Sequence, residues 1–465
     1  MTTAVPKPAV SRLHAALRTV RDHCLAPDRP VDTPPQGARY GRMFPDLPPL
    51  VTDPQALYHA GAPGGVCDAT RLFPVQARPA ADDATDAAGW PFFGQFVAHD
   101  ITADRSQVGL HADLEALRNA RSPRLNLESV HAEGPVGSPF LYDTRDGAKL
   151  LTGEDGRDLP RNWQGTALVG DPRNDVHRFV AHLHLAFLHA HNHLIDRLRE
   201  DGVPEADLYD EARRALVWHY QWIVLHDYLP RLVGRDLVTE LLSGGTRYFA
   251  PGTGQAFIPL EFADAAFRYG HGQIRHRYRL QSDGEQYPLF PDLFGHGPIR
   301  PEHQLDWALV FDMPGRAPAQ RAKRLDGGLP GSLIALPQEI TGEVEVAEYR
   351  SLAVRDLTRG QATALPSGED VARHLGVEPL TGQEVGTEWS GGTPLWLYIL
   401  KEAQHRASGD RLGPVGGRIV AEVLIGLVRA DPDSYLTLEP DWRPSLPSAG
   451  AEFGLADLLA LATGS

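Results

Sequence analysis

The stretch that most constrains the fold runs from Asp171 to Leu198, "DPRNDVHRFVAHLHLAFLHAHNHLIDRL", where apolar side chains recur at three- and four-residue spacing without a glycine. That spacing places them on one face of a long amphipathic helix. Asp171 is its expected N-cap and Pro172 its expected first helical residue. A second long helix is predicted over "YDEARRALVWHYQWIVLHDYLPRLVG", stopped by Pro230 and Gly234. Near the C-terminus "TPLWLYILKEAQHRAS" and "LGPVGGRIVAEVLIGLVRADP" read as a helical pair. Strand signals are few and short, so the chain is predicted to be mainly α, with one large helical core over residues 86–440. Residues 1–85 read as an amphipathic segment, "SRLHAALRTVRDHCL", followed by an extended arm rich in Pro and Gly. Residues 441–465 read as a tail.

Bulk properties narrow the function. The chain has 45 Lys and Arg against 60 Asp and Glu, a formal charge of −15, which argues against nucleic acid or an anionic membrane as a partner. Its cysteines are Cys24 and Cys67, too few for a disulfide framework. The opening residues lack an uninterrupted apolar run, and the longest apolar stretches are broken by His and Asp. The expectation is a cytoplasmic protein with no membrane span.

The first long helix carries His177, His182, His184, His189, His191 and His193. His189 and His193 are four apart, but no Glu stands beside the first, so the zinc-protease pattern is missing. No phosphate-binding loop, nucleophile elbow or C-x-x-C pair occurs, and Cys67 in "GGVCD" reads as structural. Several of these histidines are therefore expected to be satisfied by hydrogen bonds or partly exposed. The stretch "WPFFGQFVAHDITADRS" is more informative. It has the apolar filling of a buried helix, interrupted by Gln95, His99 and Asp100. Gln95 and His99 share one helical face and Asp100 points elsewhere, so a single helix is expected to serve two polar sites.

Three further segments complete a set. "VGDPRND" carries Arg173, "FRYGHGQIRHRY" carries Arg268 and His271 three apart, and "LAVRDLTRGQATALP" carries Asp356 and Arg359 three apart. In this order they resemble the animal-type haem peroxidases, the peroxidase–cyclooxygenase superfamily, over roughly residues 40–440. "YGRMFPDLPP" and "PLWLYILKEAQ…LGPVGGRIVAEVLIGLV" look like its bacterial branch.

The resemblance implies a single helical haem peroxidase domain and a role for each polar residue. His99 matches the distal histidine over the open face of the haem iron, Gln95 the distal glutamine, and Arg173 the distal arginine. His271 matches the proximal axial ligand. Arg268, and by its position Arg359, match arginines that pair with haem propionates. Asp356 falls where mammalian members carry an Asn hydrogen-bonded to the proximal imidazole. A carboxylate there accepts the Nδ1 proton more strongly and should lower the iron's reduction potential. Asp100 matches a calcium ligand, with Ser122, the carbonyl of Arg124, Asn126 and Glu128 as the other expected ligands. Oxygen donors suit Ca²⁺, although Ser, Asn and Glu depart from the family's Thr, Asp and Ser.

Other departures bear on reactivity. The family's two ester-forming carboxylates fall at Ala98 and Val176, and the Met beside the second falls at His177. Haem b without ester links is therefore expected; only a register slip would bring Asp175 into play. The implied activity is reduction of H₂O₂ through a ferryl intermediate with oxidation of a small donor. That donor would be organic, or bromide, iodide or thiocyanate rather than chloride. A fatty-acid or secondary-metabolite oxygenase of the same superfamily is the alternative, and a haem-binding sensor a third. The fatty-acid branch needs a Tyr three residues before the proximal His. Here that residue is Arg268, while Tyr269 is two before.

Overall fold

The computed structural model describes residues 39–71, 83–103, 117–153, 155–344, 346–386 and 389–463. The expected N-terminal amphipathic segment, Cys24 and much of the extended arm lie outside the described residues. Among the described residues nine longer helices carry the architecture: α1 (Pro54–Gly61), α2 (Trp90–Ile101), α3 (Arg178–Glu200), α4 (Leu208–Trp222), α5 (Arg235–Gly244), α6 (Leu352–Ala362), α7 (Leu395–Arg406), α8 (Pro414–Ala430) and α9 (Leu455–Thr463). The fold is mainly α, as the periodicity predicts. The strands of the described residues form three two-stranded ladders. β1 (Tyr40–Gly41) runs parallel to β3 (Ile258–Pro259). β2 (Asp83–Ala87) is antiparallel to β6 (Arg321–Lys323), and β4 (Arg277–Arg279) to β5 (Gln286–Pro288).

Two predicted helices are divided. Asp171 does accept from the Arg173 amide, but it caps a separate 3₁₀ turn, Pro172–Asp175. The chain then extends at His177 (φ −154°, ψ 164°), and that residue, not Asp171, caps α3 by accepting from Val180. The apolar spacing runs across the break, so periodicity alone hides it. The second helix is interrupted too: a π-helical turn, Ile223–Tyr228, separates α4 from a short helix, Leu229–Val233. Pro230 sits in the first turn of that short helix, where its missing N–H costs nothing, so it does not stop the chain. Gly234, at φ 93°, does.

The C-terminal pair forms as expected. A Cβ on Gly416 of α8 would lie 2.6 Å from Ile399 Cγ2 of α7, so the crossing requires glycine there. Behind the site, the fully buried carboxylate of Glu261 accepts from Arg42 Nε (2.9 Å) and the amides of Met43 (2.9 Å) and Phe44 (3.2 Å), which fastens the start of the described chain to the core.

Helix α3 is the central element, packed against α2, α4 and α9. Several of its histidines find backbone partners, as the sequence reading expects: His182 on Arg178 O (2.7 Å), His189 on Gly156 O (2.7 Å) and His191 on Ala148 O (2.9 Å). Among the described residues no helix is long and apolar enough to cross a membrane.

Burial lowers His182, His184 and His191 each to about 4. The unfolded chain would bind these protons near 6.5, so this stabilisation is complete above that pH and is lost as pH falls toward 4. Buried Asp100 and Glu402, raised to about 6 and about 7, act in the opposite sense but are outnumbered by buried histidines. The melting temperature is expected to drop steadily between about pH 6.5 and 4.5; a flat profile there would contradict this ionisation pattern.

Candidate active site

Helix α2 lies between α3 and a 3₁₀ turn, Ala266–Gln273, which is backed in turn by α7 and α8. The space left between α2 and that turn is a cavity enclosing about 1330 Å³ of empty volume, its mouth included. Gln95, His99, Arg173 and His177 line one part of it, and Arg268, His271 and Arg359 another. The remaining wall is largely Phe, Leu and Ile. Gly94 belongs to the lining, and a Cβ there would come within 2.4 Å of the Tyr228 hydroxyl, so the close approach of α2 requires glycine.

On the α2 side every polar group has a partner. His99 is 2% exposed and pairs through Nδ1 with Asn174 Oδ1 at 2.8 Å. Burial, reinforced by the Arg173 charge, lowers its pKa to about 3, so the ring is neutral throughout the physiological range. Gln95 Nε2 lies 3.5 Å from His99 Nε2, and Gln95 Oε1 accepts from His177 Nε2 at 2.7 Å. Arg173 is held as a rigid plane. Its Nε and Nη2 donate to Asp171 (3.0 and 2.7 Å), and Nη2 also donates to the carbonyls of His99 (3.0 Å) and Thr102 (2.6 Å). Burial alone would raise Asp171, but Arg173 and Arg121 outweigh it and hold the carboxyl well below the usual carboxylate range. Arg173 therefore belongs to the 3₁₀ turn ahead of α3 rather than to the opening turn of the long helix.

Across the cavity, His271 Nδ1 is 2.7 Å from Asp356 Oδ2. The other oxygen of Asp356 accepts from Arg268 Nη1 at 3.2 Å. Arg268 also donates to Ala263 O (3.0 Å) and Asp264 (3.5 Å), and Arg359 Nε donates to the same Asp264 oxygen. Both arginines reach the lining with their charge shared by carboxylates of the chain itself. The sequence reading missed Asp264, Asn174 and the contact of His177 with Gln95. Asn174 directly follows Arg173, which was the one local signal available.

The expected calcium ligands do not form a cage. Asp100 Oδ2 accepts from the Leu127 amide (3.0 Å), and Oδ1 from the amide and hydroxyl of Ser129 (3.2 Å each). Glu128 accepts from Ser122 Oγ (2.6 Å) and Arg121 Nη1 (3.3 Å), while Asn126 Nδ2 donates to Ser122 Oγ (3.2 Å). Arg124 reaches Asp433 at 3.1 Å. The loop thus satisfies itself and takes its positive charge from the buried Arg121 guanidinium, so this donor set does not fit Ca²⁺. Asp175, likewise, is held by both terminal nitrogens of Arg161 at 2.8 Å and does not line the cavity.

A sequence model of the animal haem peroxidase family matches residues 109–305. A heme peroxidase 2 of Caenorhabditis elegans is 24% identical over 360 residues, covering 70% of this chain and 48% of that protein. Peroxidase A of Dictyostelium discoideum has a similar solved structure, with TM-score 0.58 and 14% identity over 88% of this chain and 89% of that one. Residues 109–305 thus match the animal haem peroxidase family, and the chain as a whole shares the fold of a solved peroxidase. A fatty acid α-dioxygenase of Arabidopsis thaliana shares the fold, with TM-score 0.59 and 14% identity over 87% of this chain and 75% of that one. The chain spans about half the length of the C. elegans relative.

A match to that family implies haem, and the cavity fits one. It is largely apolar, and its lining includes two imidazoles, His99 and His271, and two arginines, Arg268 and Arg359, suited to a pair of propionates. Stripping calcium with EGTA is expected to leave the melting temperature unchanged, while Arg121→Met should destabilise the fold by about 3–5 kcal/mol by stranding buried carboxylates. One equivalent of calcium that stabilises the purified chain would contradict this account of the loop.

Proposed function

We propose that this chain is a haem-dependent peroxidase that reduces hydrogen peroxide and oxidises a small organic donor or bromide, iodide or thiocyanate. The observation that supports it most is one cavity lined by a neutral, amide-held imidazole, His99, and by a carboxylate-backed imidazole, His271. Bound haem b would supply the redox-active iron at which peroxide is reduced. His271 would hold that iron while donating its Nδ1 proton to Asp356. Arg268 and Arg359 would pair with the propionates.

His99 Nε2 takes the proton from one peroxide oxygen and returns it to the departing oxygen, which leaves as water. Arg173 opposes the negative charge that develops as the O–O bond breaks. Its ties to Asp171 and two carbonyls mean that little reorganisation is needed at that moment. Ala98 and Val176 carry no carboxyl, so the haem is held without those ester bonds. An anionic partner on the proximal imidazole lowers the potential, which disfavours chloride as donor.

An oxygenase is the second reading. Tyr269 lines the cavity with its hydroxyl 2.7 Å from that of Tyr228, and a fatty acid α-dioxygenase shares the fold. Arg268 in the position three before His271 favours the peroxidase. Stopped-flow absorption of the haem-loaded chain is expected to show a rapid reaction with peroxide that His99→Ala slows by about 10²–10⁴-fold without loss of haem. Asp356→Asn should raise the iron's reduction potential. A peroxide rate unchanged by His99→Ala, or oxygen uptake with a fatty acid in place of peroxide-dependent oxidation, would contradict the proposal.

A further inference from the structure

A line of hydrogen bonds at the edge of the cavity runs in a single direction. It starts at the head of α3, where the Val180 amide can only donate and His177 Nδ1 accepts at 3.4 Å. Burial lowers His177 to about 3, so its ring is neutral, and a neutral imidazole that accepts at Nδ1 carries its proton on Nε2. That proton goes to Gln95 Oε1 at 2.7 Å. With its oxygen so engaged, the Gln95 amide turns its NH₂ toward His99 Nε2, 3.5 Å away. His99 must then carry its own proton on Nδ1, which donates to Asn174 Oδ1 at 2.8 Å. Asn174 Nδ2 donates in turn to His184 Nδ1 at 2.9 Å.

Most of these links could run backwards. The two amides can each rotate by half a turn and the imidazoles can change tautomer, and the reversed line would put the proton of His99 on Nε2. A ring in that state has no lone pair facing the cavity and cannot act as a base there. Only the link to a backbone amide has a sense that cannot change.

We propose that His177 is a positioning residue: by capping α3 with Nδ1 and donating from Nε2 to Gln95, it selects the tautomer of His99 whose Nε2 lone pair faces the cavity. The inference rests on His99 being the base of the proposed peroxidase. It gives a purpose to a buried histidine that the proposed mechanism does not otherwise use.

The two duties of His177 separate by mutation. Asparagine places an oxygen where Nδ1 lies and keeps the cap, but it is too short to reach Gln95. Glutamine places an amide where Nε2 lies and loses the cap. The probe is cyanide added to the haem-loaded chain as HCN, whose proton His99 must accept for the anion to bind. His177→Asn is expected to slow cyanide association by about tenfold or more while the melting temperature stays near that of the parent. His177→Gln, whose uncapped amide can present either end to Gln95, should leave the association slow as well, at a lower melting temperature. Rates that simply follow melting temperature across the two variants, or that match the parent in both, would overturn the proposal and leave a capping role alone. A haem-loaded parent that reacts with neither cyanide nor peroxide would instead overturn the reading of His99 as base, and this inference with it.

Discussion

The neutrality of His99 is the constraint on which the rest of the site depends. An imidazole 2% exposed, with a guanidinium nearby, cannot hold a second proton at ordinary pH, so every neighbour must be compatible with a neutral ring. Its hydrogen-bond neighbours are accordingly amides, Asn174 and Gln95, rather than carboxylates. The carboxylate that acts on its ring, Asp171, is spent on Arg173 and Arg121. That arrangement keeps a cation beside the cavity without drawing a proton onto the histidine.

The other wall is built on the opposite rule. His271 is given a carboxylate, Asp356, at 2.7 Å, so its ring is drawn toward anionic character. Arg268 shares that carboxylate and, with Arg359, also reaches Asp264. One imidazole is thus kept as an acceptor toward the cavity and the other is made a strong donor to whatever it binds. In the proposed reading these are the tasks of a proton carrier and of an iron ligand. The two walls come together because α2 and the Ala266–Gln273 turn are both anchored to long helices, α3 on one side and α7 with α8 on the other.

Much of this was legible in the sequence because helical spacing and short motifs are local signals. Gln95 with His99, and Asp356 with Arg359, are separated by one helical turn; the fold brings Gln95, His99 and Arg359 to the cavity and sets Asp356 behind His271. What escaped notice depends on contacts between distant residues. The His99–Asn174 bond spans 75 residues and the His177–Gln95 bond 82, and no local pattern announces either. The break before α3 was hidden because the apolar spacing continues through it, and Pro230 misled because it falls in the first turn of a short helix that follows a π-helical turn. The loop after Arg121 had the spacing of a calcium site, yet the buried guanidinium beside it supplies the charge.

In the proposed reading haem would be held by His271 alone, with His99 left free of the iron. Low-temperature electron paramagnetic resonance of the chain loaded with ferric haem tests this most directly, because one axial imidazole and two give different spin states. The account predicts a high-spin signal that His271→Ala alters and His99→Ala retains. A low-spin spectrum with both imidazoles bound, or a signal indifferent to His271, would contradict it.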